Sequence, residues 1–151
     1  MLICVGRLGS APEAMLARAY ADRAGGVGRA LGLSPVEIVE VEGRKTGKAA
    51  EAEAILGKAE GARLIACDER GRSFASRDFA TRIAALRDDG ARQLAFAIGA
   101  ADGLDAAVRD AAEDVISFGP ATWPHALARV MLAEQVYRAV TILAGAPYHR
   151  D

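Results

Sequence analysis

Short apolar runs of strand length alternate along this chain with longer stretches in which apolar residues recur every three or four positions. The runs at 2–5, 36–41, 63–67, 94–98 and 115–118 read as strands. Between them, residues 11–24, 49–59, 76–89 and 105–112 carry helical spacing. Parallel strands need long crossovers, and helices supply them while covering the sheet. The alternation therefore predicts an α/β fold, a mostly parallel sheet with helices on both faces. In the first helix or its continuation past Gly25-Gly26, Leu16, Tyr20, Val27 and Leu31 keep one apolar face.

The last helical pattern, about 124–144, differs from the rest because apolar residues surround it. Its polar residues Arg129, Glu134, Gln135, Arg138 and Thr141 share no narrow face at about 100° per residue. Arg129 heads a stripe continued by Leu132, Val136, Val140 and Leu143. A charge in that position requires a partner or a bound anion. A helix apolar on all sides needs two surfaces to pack on. The sheet supplies one, and a second copy of the chain in a homodimer is expected to supply the other.

Composition narrows the class. The chain has 151 residues, 52% of them hydrophobic and 26% charged, which suits a single globular domain over 1–151. Its formal net charge of -1 rules out a globally basic nucleic-acid binder. Any RNA contact must come from a local patch. Cys4 and Cys67 both sit inside apolar runs. They read as small buried hydrophobes of a reduced, cytoplasmic protein, with neither a disulfide nor a metal site. The N-terminal stretch does not have the form of a secretory signal, and no run approaches the length of a membrane span.

Several motifs carry candidate chemistry, each with a plainer alternative. Phe96-Ala-Ile-Gly-Ala-Ala-Asp-Gly-Leu104 ends a strand and turns toward a helix, and its glycines allow close backbone approach to a ligand. It is also what an ordinary strand-to-helix turn can look like. The loop Phe118-Gly-Pro-Ala-Thr-Trp-Pro124 is stiffened by two prolines and suits edge recognition of a flat ring, or merely a rigid connection. Neither is a Walker motif, and Val5-Gly-Arg-Leu-Gly9 lacks the third glycine of a dinucleotide fingerprint. Arg44, Lys45 and Lys48 lie on the most basic short loop and can follow a phosphate backbone, or form a solvated charge run. Arg70, Arg72 and Arg77 make a second, looser basic stretch. Both histidines flank the last helix: His125 follows Thr122-Trp-Pro, and His149 stands between Tyr148 and Arg150. Imidazole, phenol and guanidinium side by side suit proton transfer, stacking and phosphate binding. Glu134 and Arg138 are an i,i+4 pair, usually surface support.

Taken in order, Ile98-Gly-Ala-Ala-Asp-Gly-Leu104, Thr122-Trp-Pro-His125, Arg129-Val130, Ala133-Glu134, Tyr137-Arg138-Ala139 and Pro147-Tyr-His-Arg150 resemble the RlmH family of ribosomal RNA methyltransferases. The resemblance also takes in the basic loop and the Asp68-Glu-Arg-Gly71 turn, so it spans essentially the whole chain. It implies a SPOUT-class α/β knot with a C-terminal trefoil, a rare exception to unknotted topology. It further implies a homodimer that uses S-adenosylmethionine to methylate N3 of a pseudouridine in helix 69 of 23S rRNA on the assembled ribosome, with no DNA or membrane partner. By resemblance, cofactor contacts fall on Cys67, Gly99, Ala100, Phe118, Gly119, Pro120, Ala121, Thr122, Trp123 and Pro124. Target-side groups fall on His125, Glu134, Tyr148, His149 and Arg150, with the tail completing the other protomer's site. Arg44, Lys45, Lys48 and Arg129 are expected at the RNA. Two alternatives share the fold: a catalytically silent ribosome-binding SPOUT protein, and a SPOUT enzyme acting on tRNA.

Overall fold

A computed structural model describes residues 1–42 and 47–149. In chain order its elements are β1 (Leu2–Val5), α1 (Pro12–Gly28), a short 3-10 turn (Arg29–Leu31), β2 (Ile38–Val41), α2 (Lys48–Lys58), β3 (Arg63–Ser73), α3 (Ser76–Asp88), β4 (Leu94–Ile98), α4 (Ala106–Ala111), β5 (Asp114–Ser117) and α5 (His125–Leu143). The strands form one sheet in the order β2-β1-β4-β3-β5, and every pairing is parallel. The predicted α/β arrangement is thus the observed one, with a purely parallel sheet.

Alternation along the strands sorts the core into two layers. Leu2, Cys4, Ile65, Phe96, Ile98 and Ile116 face α1, α3 and α5, where Ala17, Ile83, Leu132 and Val136 meet them. Ile3, Val5, Leu64, Ala66, Ala95 and Ala97 face the opposite way onto Ile55 of α2 and Val108 of α4. Both faces are covered, which is why the strands read as continuous apolar runs rather than alternating ones.

Three elements depart from their expected bounds. The first helix runs through Gly25 and Gly26 instead of stopping before them. A Cβ on Gly25 would stand 3.3 Å from the Pro35 Cα, and one on Gly28 3.2 Å from the Leu33 side chain, so these glycines serve close packing within a helix. The second strand begins at Ile38 rather than at 36. The third continues to Ser73, well past Cys67, where the apolar run ends. Its pairing with β5 slips so that both Cys67 and Arg72 lie opposite Ile116. The residues between bulge outward, held by a hydrogen bond from the Arg70 backbone N–H to Asp68 Oδ1 at 3.0 Å. Polar residues can extend this strand because it continues beyond the covered part of the sheet.

Arg129 finds its partners inside the chain. It is 2% exposed. Nη1 donates to Glu40 Oε1 at 3.0 Å, and Nη2 donates to the carbonyls of Gly6 at 2.7 Å and Val5 at 2.5 Å. Glu40 also accepts from the Leu8 N–H at 3.0 Å. The expected RNA contact at Arg129 is thereby corrected: a guanidinium this deeply placed, with its Nη atoms committed to one carboxylate and two carbonyls, is not offered to a phosphate. Removing the cation leaves Glu40 and both carbonyls short of donors. Arg129→Met, which keeps the apolar stem, should lower unfolding free energy by about 3 kcal/mol and the melting temperature by roughly 6–12 °C. A melting curve superimposable on the parent's would refute this clamp.

Candidate functional site

The carboxyl ends of β3 and β4 open into a cleft of about 830 Å³, counted out to its mouth. Ligands of open parallel sheets sit at such an edge, where the chain's direction of travel along the sheet reverses. Two turns build its walls. At the end of β4, Gly99 lies so close to Gly103 that a Cβ there would come within 2.6 Å of the Gly103 carbonyl carbon. The Gly103 N–H closes the turn on Ala100 O at 3.0 Å, and Gly103 itself has φ +74°. No side chain larger than hydrogen fits at 99, so backbone rather than side chain is presented to the cleft. The second wall follows β5. Ser117 Oγ accepts from the Gly119 N–H at 3.1 Å and lies 3.1 Å from Gly119 O, with Gly119 at φ +98°. The loop then crosses the ends of β3 and β4 before α5 begins at His125, with Pro124 as its N-cap.

One buried ion pair fastens the two strand ends together. Arg109, on α4, donates to the Leu104 carbonyl and lies 3.3 Å from Asp68 Oδ2. The Asp68 side chain is 6% exposed. Asp68 therefore grips both the turn after β4 and, through its other oxygen, the bulge of β3. The sequence hints at Asp68, the first polar residue after an apolar run. Arg109, mid-helix among alanines, gives no such signal.

Of the residues expected at the cofactor, Cys67, Gly99, Ala100, Phe118, Gly119, Ala121, Thr122 and Trp123 all line this cleft. Pro120 and Pro124 are stiff joints of the same loop. His125 and Lys48 also line it, as do Asp68, Glu69, Arg70 and Asp102. Trp123 is 44% exposed.

The other expected target-side groups lie elsewhere in the protomer. Glu134 is nine residues beyond His125 on the same helix, about 13 Å along its axis. There it accepts a hydrogen bond from the Tyr148 hydroxyl at 3.0 Å, another from Arg138, and one at its second oxygen from Gln135 Nε2 at 2.8 Å. The Tyr148 ring packs 4.5 Å from that of Tyr137 and 5.0 Å from the Arg138 guanidinium. Arg138 Nη1 lies 3.5 Å from His149 Nδ1. Burial, followed by hydrogen bonding with Tyr20 and Glu134, pushes the Tyr148 phenol above its ordinary value. One chain thus gathers the cofactor turns with His125 at the start of α5, while Tyr148 and His149, beyond the helix's end, pack back on its middle against Glu134, Tyr137 and Arg138. Arg44, Lys45 and Arg150 lie outside the described residues.

The family model described as predicted SPOUT methyltransferase matches residues 1–149. Curated relatives named ribosomal RNA large subunit methyltransferase H are 63% identical in Caulobacter sp. (strain K31), 61% in Phenylobacterium zucineum (strain HLK1) and 59% in Caulobacter vibrioides. Each alignment covers 99% of this chain and 97% of the relative. Among solved structures, a probable methyltransferase from Bordetella pertussis Tohama I superimposes with a TM-score of 0.52 at 17% identity, over 92% of this chain and 94% of that one. That likeness concerns the fold.

Burial raises the Cys67 thiol to about 12 and the Cys4 thiol to about 11, against an ordinary value of 9.0. Folded-state values above the unfolded one mean that the stability they contribute is complete below pH 9 and is lost as pH rises through 11 and 12. Urea midpoints should therefore fall between pH 9 and 12, and Cys4→Ala with Cys67→Ala should flatten that decline. At pH 8 iodoacetamide should leave both thiols intact in the native protein and modify both in denaturant. Native alkylation of Cys67 at the rate of a free thiol would show that the floor of the cleft is open.

Proposed function

The chain belongs to the SPOUT methyltransferase family, and from that premise we propose that it methylates N3 of a pseudouridine in helix 69 of 23S rRNA, using S-adenosylmethionine and acting on the assembled ribosome as a homodimer. Residues 1–151 then work as one methyltransferase domain. The observation that carries this reading is the cleft at the carboxyl ends of β3 and β4, walled by backbone turns and bordered by His125, in a chain so close over its length to proteins named for rRNA methylation.

The residues present suit the cofactor. Gly99 and Gly103 leave room for a ligand to lie against backbone, and the loop from Phe118 to Pro124 offers N–H and C=O groups for an adenine edge. Cys67 and Ile98 give an apolar floor, while Asp102 and Glu69 bring carboxylates toward a cationic ligand. When bound, S-adenosylmethionine supplies an electrophilic methyl group on a sulfonium. The chain's share of the work is alignment, exclusion of water and handling of one proton. The acceptor N3–H must lose its proton as the N–C bond forms and the S–C bond breaks. His125, on the cleft wall, is assigned as the acceptor, and Lys48 as a cation that favours the developing N3 anion.

The same reading calls for a second protomer and a knot. Leu127 and Trp123 near the start of α5, with Met15 and Leu16 on α1, are the exposed large hydrophobics among the described residues, and a partner would cover them. A two-fold axis that sets the two α5 helices antiparallel would carry one protomer's Tyr148 and His149 toward the other's cleft. The crossing of 118–124 over the ends of β3 and β4 supports a threaded C-terminal half.

Mass spectrometry of 23S rRNA from a strain lacking this gene should show the helix 69 pseudouridine unmethylated, with the methyl restored on complementation. An unchanged nucleoside would remove the assignment. His125→Ala should lower kcat by about 10²–10⁴-fold while leaving S-adenosylmethionine affinity within about twofold. A chain truncated before Tyr148 should bind the cofactor but not turn over. Mixed in one preparation, these two inactive chains should recover roughly a quarter of parental activity, because half the dimers hold one complete site. No recovery would mean that the tail acts on its own protomer or not at all.

A further inference from the structure

The bulge of β3 holds one cation at the mouth of the cleft. Arg70 lines the cleft and is exposed, and its side chain forms no hydrogen bond or ion pair among the described residues. Its backbone, by contrast, is fixed from several sides. The Arg70 N–H bonds Asp68 Oδ1 at 3.0 Å, and Asp68 is itself paired with Arg109. Gly71 presses so closely on β5 that a Cβ would come within 2.5 Å of the Ile116 carbonyl carbon. Arg72 stacks on the Phe74 ring at 4.1 Å. A bulge this firmly anchored, in a strand that has already left the apolar core, is a mount for the residue at its tip.

Two arginines that brace nearby elements are already engaged. Arg109 binds Asp68 and the Leu104 carbonyl, and Arg129 binds Glu40. Lys48, on the first turn of α2, lines the same cleft and likewise has no side-chain partner among the described residues. Glu69 and Asp102 share the lining, yet neither pairs with Arg70.

Resting on the methylation reading above, we infer that Arg70 is a phosphate contact for the RNA, gripping the backbone beside the target nucleotide. A guanidinium can take two phosphate oxygens at once, and such a contact positions RNA without reading its sequence. The other anion that could reach the cleft is the carboxylate of the cofactor. The exposure of Arg70 favours the RNA.

Arg70→Ala and Arg70→Lys separate these sources, since an exposed side chain can be removed without disturbing the core. With ribosomes from a strain lacking this gene, Arg70→Ala should raise KM about tenfold at low salt, leave kcat within about twofold, and reduce the slope of log affinity against log salt by about one. Arg70→Lys should recover most of the affinity, because a point charge still meets phosphate. S-adenosylmethionine affinity by calorimetry should stay within about twofold of the parent. A weakened cofactor with unchanged ribosome affinity would overturn the inference in favour of the carboxylate. Filter binding of ribosomes against salt, without cofactor, reads the contact independently of catalysis. An unaltered slope there would sink the Arg70 assignment alone. A parent chain that binds ribosomes with the expected slope difference but transfers no methyl group would sink the methylation reading and leave the contact standing.

Discussion

A buried guanidinium governs the layout of this molecule. Arg129 sits one turn into α5, and its bonds to Val5 O, Gly6 O and Glu40 fasten that turn over the carboxyl ends of β1 and β2. The strand that precedes α5 is at the far edge of the sheet, beside β3. Residues 118–124 must therefore span the ends of β3 and β4 to deliver α5 to its anchor. That enforced crossing makes the second wall of the cleft and leaves His125 on it. A cation able to satisfy several acceptors at once can hold such a crossing, where apolar packing alone would tolerate sliding.

Much of this was legible in the residues. Apolar runs gave the five strands within a few residues, because a parallel sheet buried on both faces leaves its strands unbroken by polar side chains. The stripe headed by Arg129 foretold a charge in need of a partner, though pattern alone could not say that the partner was Glu40, 89 positions away. The bulge of β3 was hidden for the opposite reason. Asp68 to Arg72 is polar, and periodicity registers burial, whereas this extension is held by a side-chain cap, a glycine contact and a slipped register. Gly25 and Gly26 read as a helix end, but the closeness of Gly25 to Pro35 is a tertiary fact.

The candidate site divides along α5. Turns with positive-φ glycines, a pocket floor of Cys67 and Ile98, and His125 sit at one end. At mid-helix, Glu134 binds Tyr148 and Arg138 within its own protomer. The motif Tyr148-His149 was readable as chemistry from its side chains, yet its place was not, since the chain turns back after α5 and seats Tyr148 on Glu134, Tyr137 and Arg138 at mid-helix. For Glu134, the hydrogen bonds received from Tyr148, Arg138 and Gln135 describe a carboxylate that orders a tail.

Charge is allotted by the same logic. The chain is nearly neutral, with 19 Lys and Arg against 20 Asp and Glu, so its capacity to meet RNA depends on which cations are already taken. Arg63 and Arg82 bind Glu113, with Asp89 and Asp114 as second partners, and fasten β3 and α3 to the start of β5. Arg109 and Arg129 hold the walls of the cleft. These pairs lie where carboxylates are built into neighbouring elements, and each removes a charge from the surface field. Among the described residues, Lys48 and Arg70 line the cleft without such a partner. Overall neutrality and uncommitted cations at one opening are thus compatible, even beside Glu69 and Asp102 on the same lining, because intramolecular pairing, not composition, decides which cations a polyanion can meet.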